Sequence, residues 1–355
     1  MVSSMTHDNR PIPYSDEVEE IPTDEADDVQ RVIQALKLLL ARSQAKSGEF
    51  RGDVHVKTHG YAQAGLRVLP DLPDEVTQGL FAAEGIYSAI VRFSNSASQP
   101  QPDAIPDGRG MAIKVLQVPG EMEQIDEQQG AVQDFVMINH PVFFARNVKD
   151  YLRLEQVLVQ ADDRPLATLQ GALTGGDWNP LHWHWREMLT AAQIVGQLPA
   201  HLASNTYYSM APIRFGNYVA KYRVKPAREN HASYLDLVRS LGSQSDALRL
   251  ALVETLRTEE ILFEFQVQLR TNVQTMPIED ATVEWPESDS PFQTVAHLSL
   301  PRQEIELLRQ QEAFQSLSFN VWHALSAHRP LGGINRVRRL VYDLSSAWRR
   351  QATGG

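Results

Sequence analysis

The 355-residue chain contains no cysteine. This absence excludes disulfide bonds, iron–sulfur clusters, zinc–thiolate sites and a thiolate ligand to haem. A haem iron in this chain would therefore need His, Tyr or Met as its axial ligand. Its chemistry must rest on oxygen and nitrogen side chains, apart from eight methionines.

Long apolar runs and basic patches are also missing. No stretch of about 18 apolar residues occurs, and the N-terminal residues have no apolar core of signal-peptide length. We therefore expect a cytoplasmic protein without a transmembrane segment. The net charge of −11 comes from scattered Asp and Glu, so nucleic acid is not an expected partner and an anionic membrane surface is disfavoured. A small or amphipathic substrate is expected instead.

The apolar content, 43%, is enough to bury a substantial core. Residues 1–22 are polar and contain three prolines, which predicts an extended N-terminal arm that stays mobile or wraps a neighbour. Acidic residues at positions 24–28 suit the start of a helix, and an apolar face follows over residues 29–40. No linker or repeat divides residues 23–355, so we expect a single domain there.

The region from residue 53 to residue 142 reads as strands. Short runs of alternating apolar and polar residues are separated by Gly, Pro and Asn, and Val91 and Phe93 alternate with Arg92 and Ser94. The pattern then predicts helices near 148–160, 186–198, 234–241 and 247–259, strands at 261–270 and 294–300, and a last helix at 335–350. These elements indicate an α+β fold, with one antiparallel β core and with helices inserted and appended.

The last predicted helix carries a candidate cofactor ligand, a tyrosine, together with an arginine that can contact it. Arg338 and Tyr342 lie one turn apart, beside an apolar stripe. The guanidinium can therefore reach the phenol oxygen, and a nearby positive charge favours the phenolate that ferric iron would need. A boundary tyrosine of an amphipathic helix is the alternative interpretation. The stripe consists of Ile334, Val337, Val341, Leu344 and Trp348.

A histidine near the start of the β region is the candidate acid–base group. In DVHVKTHG, residues 53–60, a period of two places His55 and Lys57 on one side of a strand. Imidazole titrates near neutral pH and can exchange a proton with a substrate. A purely structural histidine in a strand is the alternative.

Two arginines are candidate binding groups. Arg92 shares a strand face with Ser94, and Arg109 lies between two glycines, where the backbone can approach a ligand closely. Arginines directed into a pocket bind carboxylates through two hydrogen bonds. Surface ion pairs are the alternative.

The remaining histidines do not indicate a metal site. His182 and His184 lie in HWHW, which favours a structural aromatic cluster, and His323 and His328 lack a third ligand in sequence.

Taken in order, these segments resemble the catalase superfamily of haem proteins over roughly residues 50–345. VHVKTHG resembles the strand that carries the distal histidine, here His55, with Val54 packed on the haem. VRFSNS resembles the segment with a propionate-binding arginine and a distal serine, here Arg92 and Ser94.

The later segments extend this resemblance. DGRGMAIKV and DFVMINHPVFFARN resemble the core that leads into the distal wall, and this implies cofactor contacts for Arg109 and Phe143. Tyr151 stands where catalases carry a phenylalanine stacked on the porphyrin. RRLVY resembles the proximal motif, so that Arg338 and Tyr342 take the places of the arginine and the tyrosinate ligand of the haem iron.

The chain departs from the catalase pattern at two places. Ile138 stands where catalases carry the distal asparagine, with Asn139 one position later. Gly52 replaces an arginine near a propionate, with Arg51 one position earlier. Either a one-residue shift restores both groups, so that Asn139 is catalytic beside His55, or the pocket has lost them.

The resemblance implies a catalase-like antiparallel β-barrel, haem b and a peroxide substrate. The chain is shorter than an ordinary catalase and resembles the minimal catalase-related branch, which favours a peroxidase or an enzyme acting on organic, fatty-acid hydroperoxides. Three alternatives stay open: a true catalase that disproportionates hydrogen peroxide, a non-catalytic haem-binding protein, and a relic of the fold without haem. Catalase relatives are often oligomers, so a homo-oligomer is among the possible assemblies.

Overall fold

The computed structural model describes residues 10–47, 55, 57–97, 100–162, 165–175, 179, 181, 183–227, 236, 238–240, 242, 244–306, 314 and 317–353. The strands are β1 Thr58–Val68, β2 Gly85–Asn95, β3 Arg109–Leu116, β4 Val132–Ile138, β5 Tyr207–Tyr208, β6 Ile213–Phe215, β7 Tyr218–Pro226, β8 Ile261–Leu269 and β9 Gln293–Leu300. The helices are α1 Glu25–Ser47, α2 Val148–Ala161, α3 Pro165–Thr174, α4 Trp185–Val195, α5 Ala247–Thr258 and α6 Gly333–Thr353.

Eight strands close into an antiparallel barrel. They follow the order β5-β4-β3-β2-β1-β9-β8-β7, and β5 also pairs with β7, which closes the ring. The short strand β6 pairs only with β7, as a hairpin at the margin. Closure leaves none of the eight with an unpaired long edge. The predicted α+β fold with an antiparallel β core is therefore confirmed.

Side chains fill the inside of the barrel. Ala89, Val91 and Phe93 of β2 point inward and are almost fully buried, as the alternation in the sequence predicts. The centre contains a group of aromatic rings in which Phe135 and Phe265 lie 4.7 Å apart between ring centroids. A barrel of eight strands is just wide enough to be filled in this way. A large ligand must therefore bind on the outside of the barrel.

The outer face of β1–β4 carries a second apolar cluster. It includes Tyr61, Ile90, Ala112 and Val136 from the four strands, and Trp322 packs over them. This surface lies beneath the C-terminal helix α6, whose Tyr342 contacts the same cluster. The cluster also contains Phe314, Leu317, Phe319 and Val321.

Helices α1, α2 and α6 pack together beside the barrel. Val32 of α1, Leu152 of α2 and Val337 of α6 belong to one buried cluster. Helices α2 and α5 agree with the predicted segments within one residue at each end, and α4 and α6 agree within three. Helix α1 begins within the predicted acidic stretch and continues beyond the predicted apolar face to Ser47. The prediction at 234–241 lies mostly outside the described residues. Helix α3 and strands β5, β6 and β7 are additions to the predicted elements.

The described part of the N-terminal arm lies on its own chain. The amide of Ile12 donates to the carbonyl of Arg270 at 2.8 Å, and the amide of Tyr14 donates to Asn217 at 2.7 Å. The Tyr14 ring also packs under the Arg214 guanidinium. Residues 10–22 are therefore docked against the barrel, and residues 1–9 lie outside the described ranges.

Within the described ranges, none of the helices has both the length and the apolar composition needed to cross a bilayer.

Two histidines are buried in the neutral form. The amide of Ala203 donates to Nδ1 of His201, and the amide of Leu80 donates to Nε2 of His328. Each of these ring nitrogens must keep its lone pair to accept the bond. Burial lowers the pKa of both histidines from 6.5 to about 4.

We predict that the free energy of unfolding decreases as the pH is lowered from 6.5 to about 4. Below pH 6.5 the unfolded chain binds a proton at each ring, and the folded chain does so only near pH 4. The free energy of unfolding therefore falls as the pH falls, by about 1.4 kcal/mol per pH unit for each histidine. Urea unfolding across the window measures this slope.

His201→Gln should reduce the slope by the share of one proton, whereas Ile86→Gln, at an exposed position on β2 and without any titratable group, should leave it unchanged. Equal slopes in the parent and His201→Gln would contradict the assignment.

Candidate functional site

The candidate site begins with an imidazole ring that lies over a glycine. His55 precedes β1, and its Nδ1 lies 3.0 Å from the Ser94 hydroxyl oxygen on β2. A Cβ atom on Gly110 of β3 would come within 2.7 Å of both the His55 ring and that hydroxyl. Real Cβ atoms essentially never make such short contacts, so the ring can occupy this place only because residue 110 is glycine.

The predicted strand position of His55 is wrong. Strand β1 begins at Thr58, and His55 has a φ of 57°, in the left-handed region. A period of two therefore does not apply, and Lys57 does not accompany His55 to the site. Its ammonium lies 2.7 Å from Asp103 instead.

Strand register places Ile138 beside His55. Ser94, Gly110 and Ile138 are directly paired across β2, β3 and β4. Side chains of directly paired residues point to the same face of a sheet. Ile138 therefore lies on the face that carries the His55 ring, and it is almost fully buried.

Asn139 is held away from this face. Its side-chain oxygen accepts a hydrogen bond from the Arg109 amide at 2.7 Å, and its own amide donates to the Arg109 carbonyl at 2.9 Å. The structure thus brings Ile138 to His55 and does not bring Asn139 there. The one-residue shift expected for a catalytic Asn139 is not found.

The structure does not bring the predicted binding residue Arg109 to this face. Arg109 is 1% exposed, and its guanidinium donates to the Asn95 side-chain oxygen at 2.6 Å. It alternates with Gly110, so its side chain leaves the strand on the face opposite to the His55 ring. Its charge lies near Asp107 and Asp103, not at the outer surface.

Arg92 is tied to the backbone of the histidine. It lies on the same face of β2 as Ser94, and its guanidinium donates to the His55 carbonyl at 2.7 Å and to the Thr58 hydroxyl at 2.8 Å. This arrangement fixes the unusual backbone before β1. The other two predicted contacts in this region, Arg51 and Val54, lie outside the described residues.

The second half of the site is on α6. The Arg338 guanidinium donates to the Tyr342 phenol oxygen at 2.9 Å and to the Asn335 side-chain oxygen at 3.2 Å. The helical spacing predicts this Arg338–Tyr342 contact, and the structure contains it. Tyr342 is partly buried against the apolar face of β1–β4.

Burial, helped by nearby positive charge, keeps the His55 imidazole neutral. Desolvation and the positive charges of Arg92 and Arg338 lower the pKa of His55 from 6.5 to about 3. A neutral imidazole can accept a proton, and Nε2 is the accepting nitrogen in the tautomer whose Nδ1 donates its hydrogen to Ser94. Tyr342 packs against the outer face of β1–β4, which is also the face that carries the His55 ring, so the two halves of the site face one region.

Aromatic rings form a wall between the two halves. The ring centroids of Phe143 and Phe144 lie 4.1 Å apart, and Tyr151 lies 6.1 Å from Phe143. Phe143 also packs near Ile138 and near Ile334 of α6. The structure therefore brings the predicted contact residues Phe143 and Tyr151 together beside the site.

Two apolar residues that pack around Ile138 were not predicted from the sequence. Ile194 of α4 and Met210, in the loop after β5, form one buried cluster with Ile138. They are more than fifty residues distant in sequence, and no local pattern marks them. Gly110 could have been found, because it shares a β3 face with Ala112 and a strand glycine often marks a close approach.

The donor set fits a haem. Tyr342 offers a phenol oxygen hydrogen-bonded to Arg338, which suits ferric iron, and His55 offers an acid–base group. Small and branched apolar side chains, Ala112 and Val136, line the strand face beside them. Arg92 supplies a positive charge at the margin, where a carboxylate could bind.

The comparisons with known proteins agree with this geometry at the level of the fold. No protein-family model and no curated protein matches the chain. A fungal catalase matches with a TM-score of 0.63 and 17% identity, over 86% of this chain and 60% of that one. Catalase A from Saccharomyces cerevisiae matches with a TM-score of 0.63 and 16% identity, over 97% of this chain and 69% of that one.

A bacterial catalase also matches, with a TM-score of 0.58 and 15% identity, over 97% of this chain and 64% of that one. The chain thus spans about two thirds of the length of these catalases. The likeness confirms the catalase-like barrel that the sequence predicts.

We predict that Gly110→Ala is destabilising because the new methyl group meets the His55 ring. Overpacking of this kind costs about 1–3 kcal/mol. Urea unfolding should show most of this cost in the parent background and little of it in a His55→Ala background, since the Ser94 hydroxyl can rotate away. Gly65→Ala on β1 is the matched control, because its Cβ would meet no atom closer than 4.0 Å. An equal cost in both backgrounds would show that the ring does not lie on Gly110.

Proposed function

We propose that this chain is a haem-dependent enzyme that acts on peroxides, and that its preferred substrate is an organic hydroperoxide, such as that of a fatty acid. The observation that carries the proposal is the placement of Ile138 beside a neutral His55, opposite the Arg338–Tyr342 pair. The proposal places the chain in the smaller, catalase-related branch rather than among the true catalases.

Tyr342 would bind the iron of haem b. When bound, the haem would supply a ferric centre that can donate two electrons to a peroxide. Arg338 donates to the phenol oxygen and so stabilises its negative charge. Arg92 would pair with a carboxylate of the cofactor, because its guanidinium is on the same face as Ser94.

His55 would move the proton of the substrate. Its Nε2 accepts the proton from the hydroperoxide group and returns it to the oxygen that leaves. Ser94 holds Nδ1, so the ring keeps one orientation during both transfers. Gly110 lets the ring lie close to the strand.

Ile138 would set the substrate preference. Asn139 does not offer its side chain beside His55, since its side-chain oxygen accepts a hydrogen bond from the Arg109 amide. Ile138, packed on Ile194 and Met210, makes this side of His55 apolar, which would favour a carbon chain over a second molecule of hydrogen peroxide.

We predict that Ile138→Asn shifts the preference toward hydrogen peroxide. The amide can hold a small peroxide by hydrogen bonds and removes apolar surface that a carbon chain would cover. The ratio of kcat/KM for a fatty-acid hydroperoxide to that for hydrogen peroxide should fall by about tenfold or more, equivalent to about 1.4 kcal/mol. Ile86→Asn, at an exposed site on β2, is the control.

The parent holoprotein distinguishes the remaining functions. Rapid oxygen release from hydrogen peroxide without turnover of fatty-acid hydroperoxides would identify a true catalase and overturn the stated preference.

His55→Ala distinguishes an enzyme from a haem carrier. We predict that this variant keeps its haem absorption band but loses about 100-fold or more of its rate with peroxides, because the proton-transfer group is gone. Rapid mixing with peroxide measures the rate. A parent with the absorption band and no peroxide reaction would identify a haem carrier, and the absence of any band would identify a relic of the fold.

A further inference from the structure

Arg336 lies at the meeting point of three separate segments. It donates to both carboxylate oxygens of Glu25 on α1, at 2.6 and 2.7 Å, and to both of Glu279, at 3.1 and 2.9 Å. It also donates to Glu19 of the N-terminal arm. One guanidinium thus joins the arm, α1 and the segment between β8 and β9 to the start of α6. We call these four residues the Arg336 cluster.

The carboxylates of the Arg336 cluster also bind the backbone at the start of α6. The Gly332 amide donates to Glu19 at 2.7 Å, and the Gly333 amide donates to Glu279 at 2.9 Å. The first amides of a helix have no partner within the helix, and negative charge is stabilised there. The cluster therefore fixes both the side chain and the end of the helix.

The charge balance makes Arg336 essential to this arrangement. Three carboxylates surround it, and the side chains of Glu19 and Glu25 are 8% and 9% exposed. The Arg329 guanidinium lies 3.9 Å from Glu19 as well, so Glu25 and Glu279 depend most on Arg336. Glu25 and Glu279 raise the pKa of Arg336 above its usual range, against the effect of burial. Without the guanidinium, poorly hydrated carboxylates would repel one another, and at least one segment would have to leave.

The position of Arg336 on the helix connects the cluster to the candidate ligand. Residues two apart on a helix are separated by about 200° around its axis. Arg336 therefore faces the arm and α1, while Arg338 and Tyr342 face the strands. Fixing the back of the helix fixes the rotation that presents the phenol oxygen.

We propose that Arg336 is a positioning residue for Tyr342, and that the N-terminal arm, through Glu19, is part of the ligand-holding machinery. The inference rests on the proposed function for the role of Tyr342 as iron ligand. It assigns the arm a task in cofactor retention, beyond covering the barrel.

The test compares Arg336→Met, Arg336→Lys and Glu19→Gln in the full chain. Arg336→Met should release haem to an excess of apomyoglobin at least about tenfold faster than the parent. Loss of a residue that holds a metal ligand in place typically weakens metal binding by about this factor. The tyrosinate-to-iron charge-transfer band in the absorption spectrum of Arg336→Met should also be weaker than in the parent. Arg336→Lys should lie between this variant and the parent, because a single ammonium cannot make two paired contacts.

Arg257→Met is the matched control. It removes an exposed arginine–glutamate pair far from α6, with Glu304 at 3.0 Å, and should leave haem release and spectrum unchanged. If Arg336→Met does not fold, Glu19→Gln carries the test, because it removes one charge and keeps the other two carboxylates. Parent-like haem release and spectrum in the folded variants would overturn the proposal, even if the variants were less stable.

Hydrogen exchange of the haem-free protein separates the two proposals. Weakening the cluster should speed amide exchange in the arm and in residues 333–344 together. A parent without a tyrosinate signature would refute Tyr342 as ligand, whereas exchange that is unchanged in α6 would refute the positioning role of Arg336.

Discussion

A buried ammonium group on the outer face of the barrel holds together the parts on which the candidate site depends. Lys114 of β3 lies 2.8 Å from Asp126 and 2.9 Å from Asp134, and it is fully buried. Asp134 also accepts the Asn320 amide at 2.9 Å and lies 3.1 Å from Nδ1 of His323. The carboxylates have the spacing of metal ligands, but the ammonium already supplies their positive charge.

This ion cluster connects the barrel to the helix of the candidate ligand. It fixes the segment around residue 322, and the Trp322 indole donates to the Asn335 carbonyl on α6 at 2.7 Å. Asn335 in turn accepts a hydrogen bond from Arg338. A chain of polar contacts thus runs from Lys114 to the partner of Tyr342. Such buried ions contribute more to a defined geometry than to net stability, because their desolvation offsets most of their attraction.

The sequence predicts what depends on local spacing. The Arg338–Tyr342 contact follows from residues four apart on one helix, and the inward face of β2 follows from alternation. Alternation could also have predicted that the Arg109 side chain points into the barrel. Met111 points inward, and residues two apart on a strand share a face. His55 could not be placed in this way, because its left-handed backbone interrupts the period.

Contacts between distant segments could not be predicted from one sequence. Glu19 and Arg336 are 317 residues apart, and Ile194 reaches Ile138 only through the packing of α4. Such contacts depend on how the helices and strands pack against one another, and local sequence patterns do not predict this packing. The alternative between Ile138 and Asn139 stayed open for a related reason: the sequence does not tell where β4 ends, and one residue reverses the face.

Exchanging an amide for an isoleucine beside His55 changes how a substrate is selected. A hydrogen bond contributes about 0.5–1.5 kcal/mol net and is available to any peroxide, however small. Apolar burial contributes about 0.8 kcal/mol for each methylene, so it exceeds the hydrogen bond after two or three carbons. In the proposed function, hydrogen peroxide would have no carbon to bury against Ile138 and the side chains packed on it, whereas its proton would be as accessible to Nε2 of His55 as that of a larger hydroperoxide. Selectivity for length would therefore arise from Ile138 and its apolar neighbours, while the histidine would perform the same proton transfer for every peroxide.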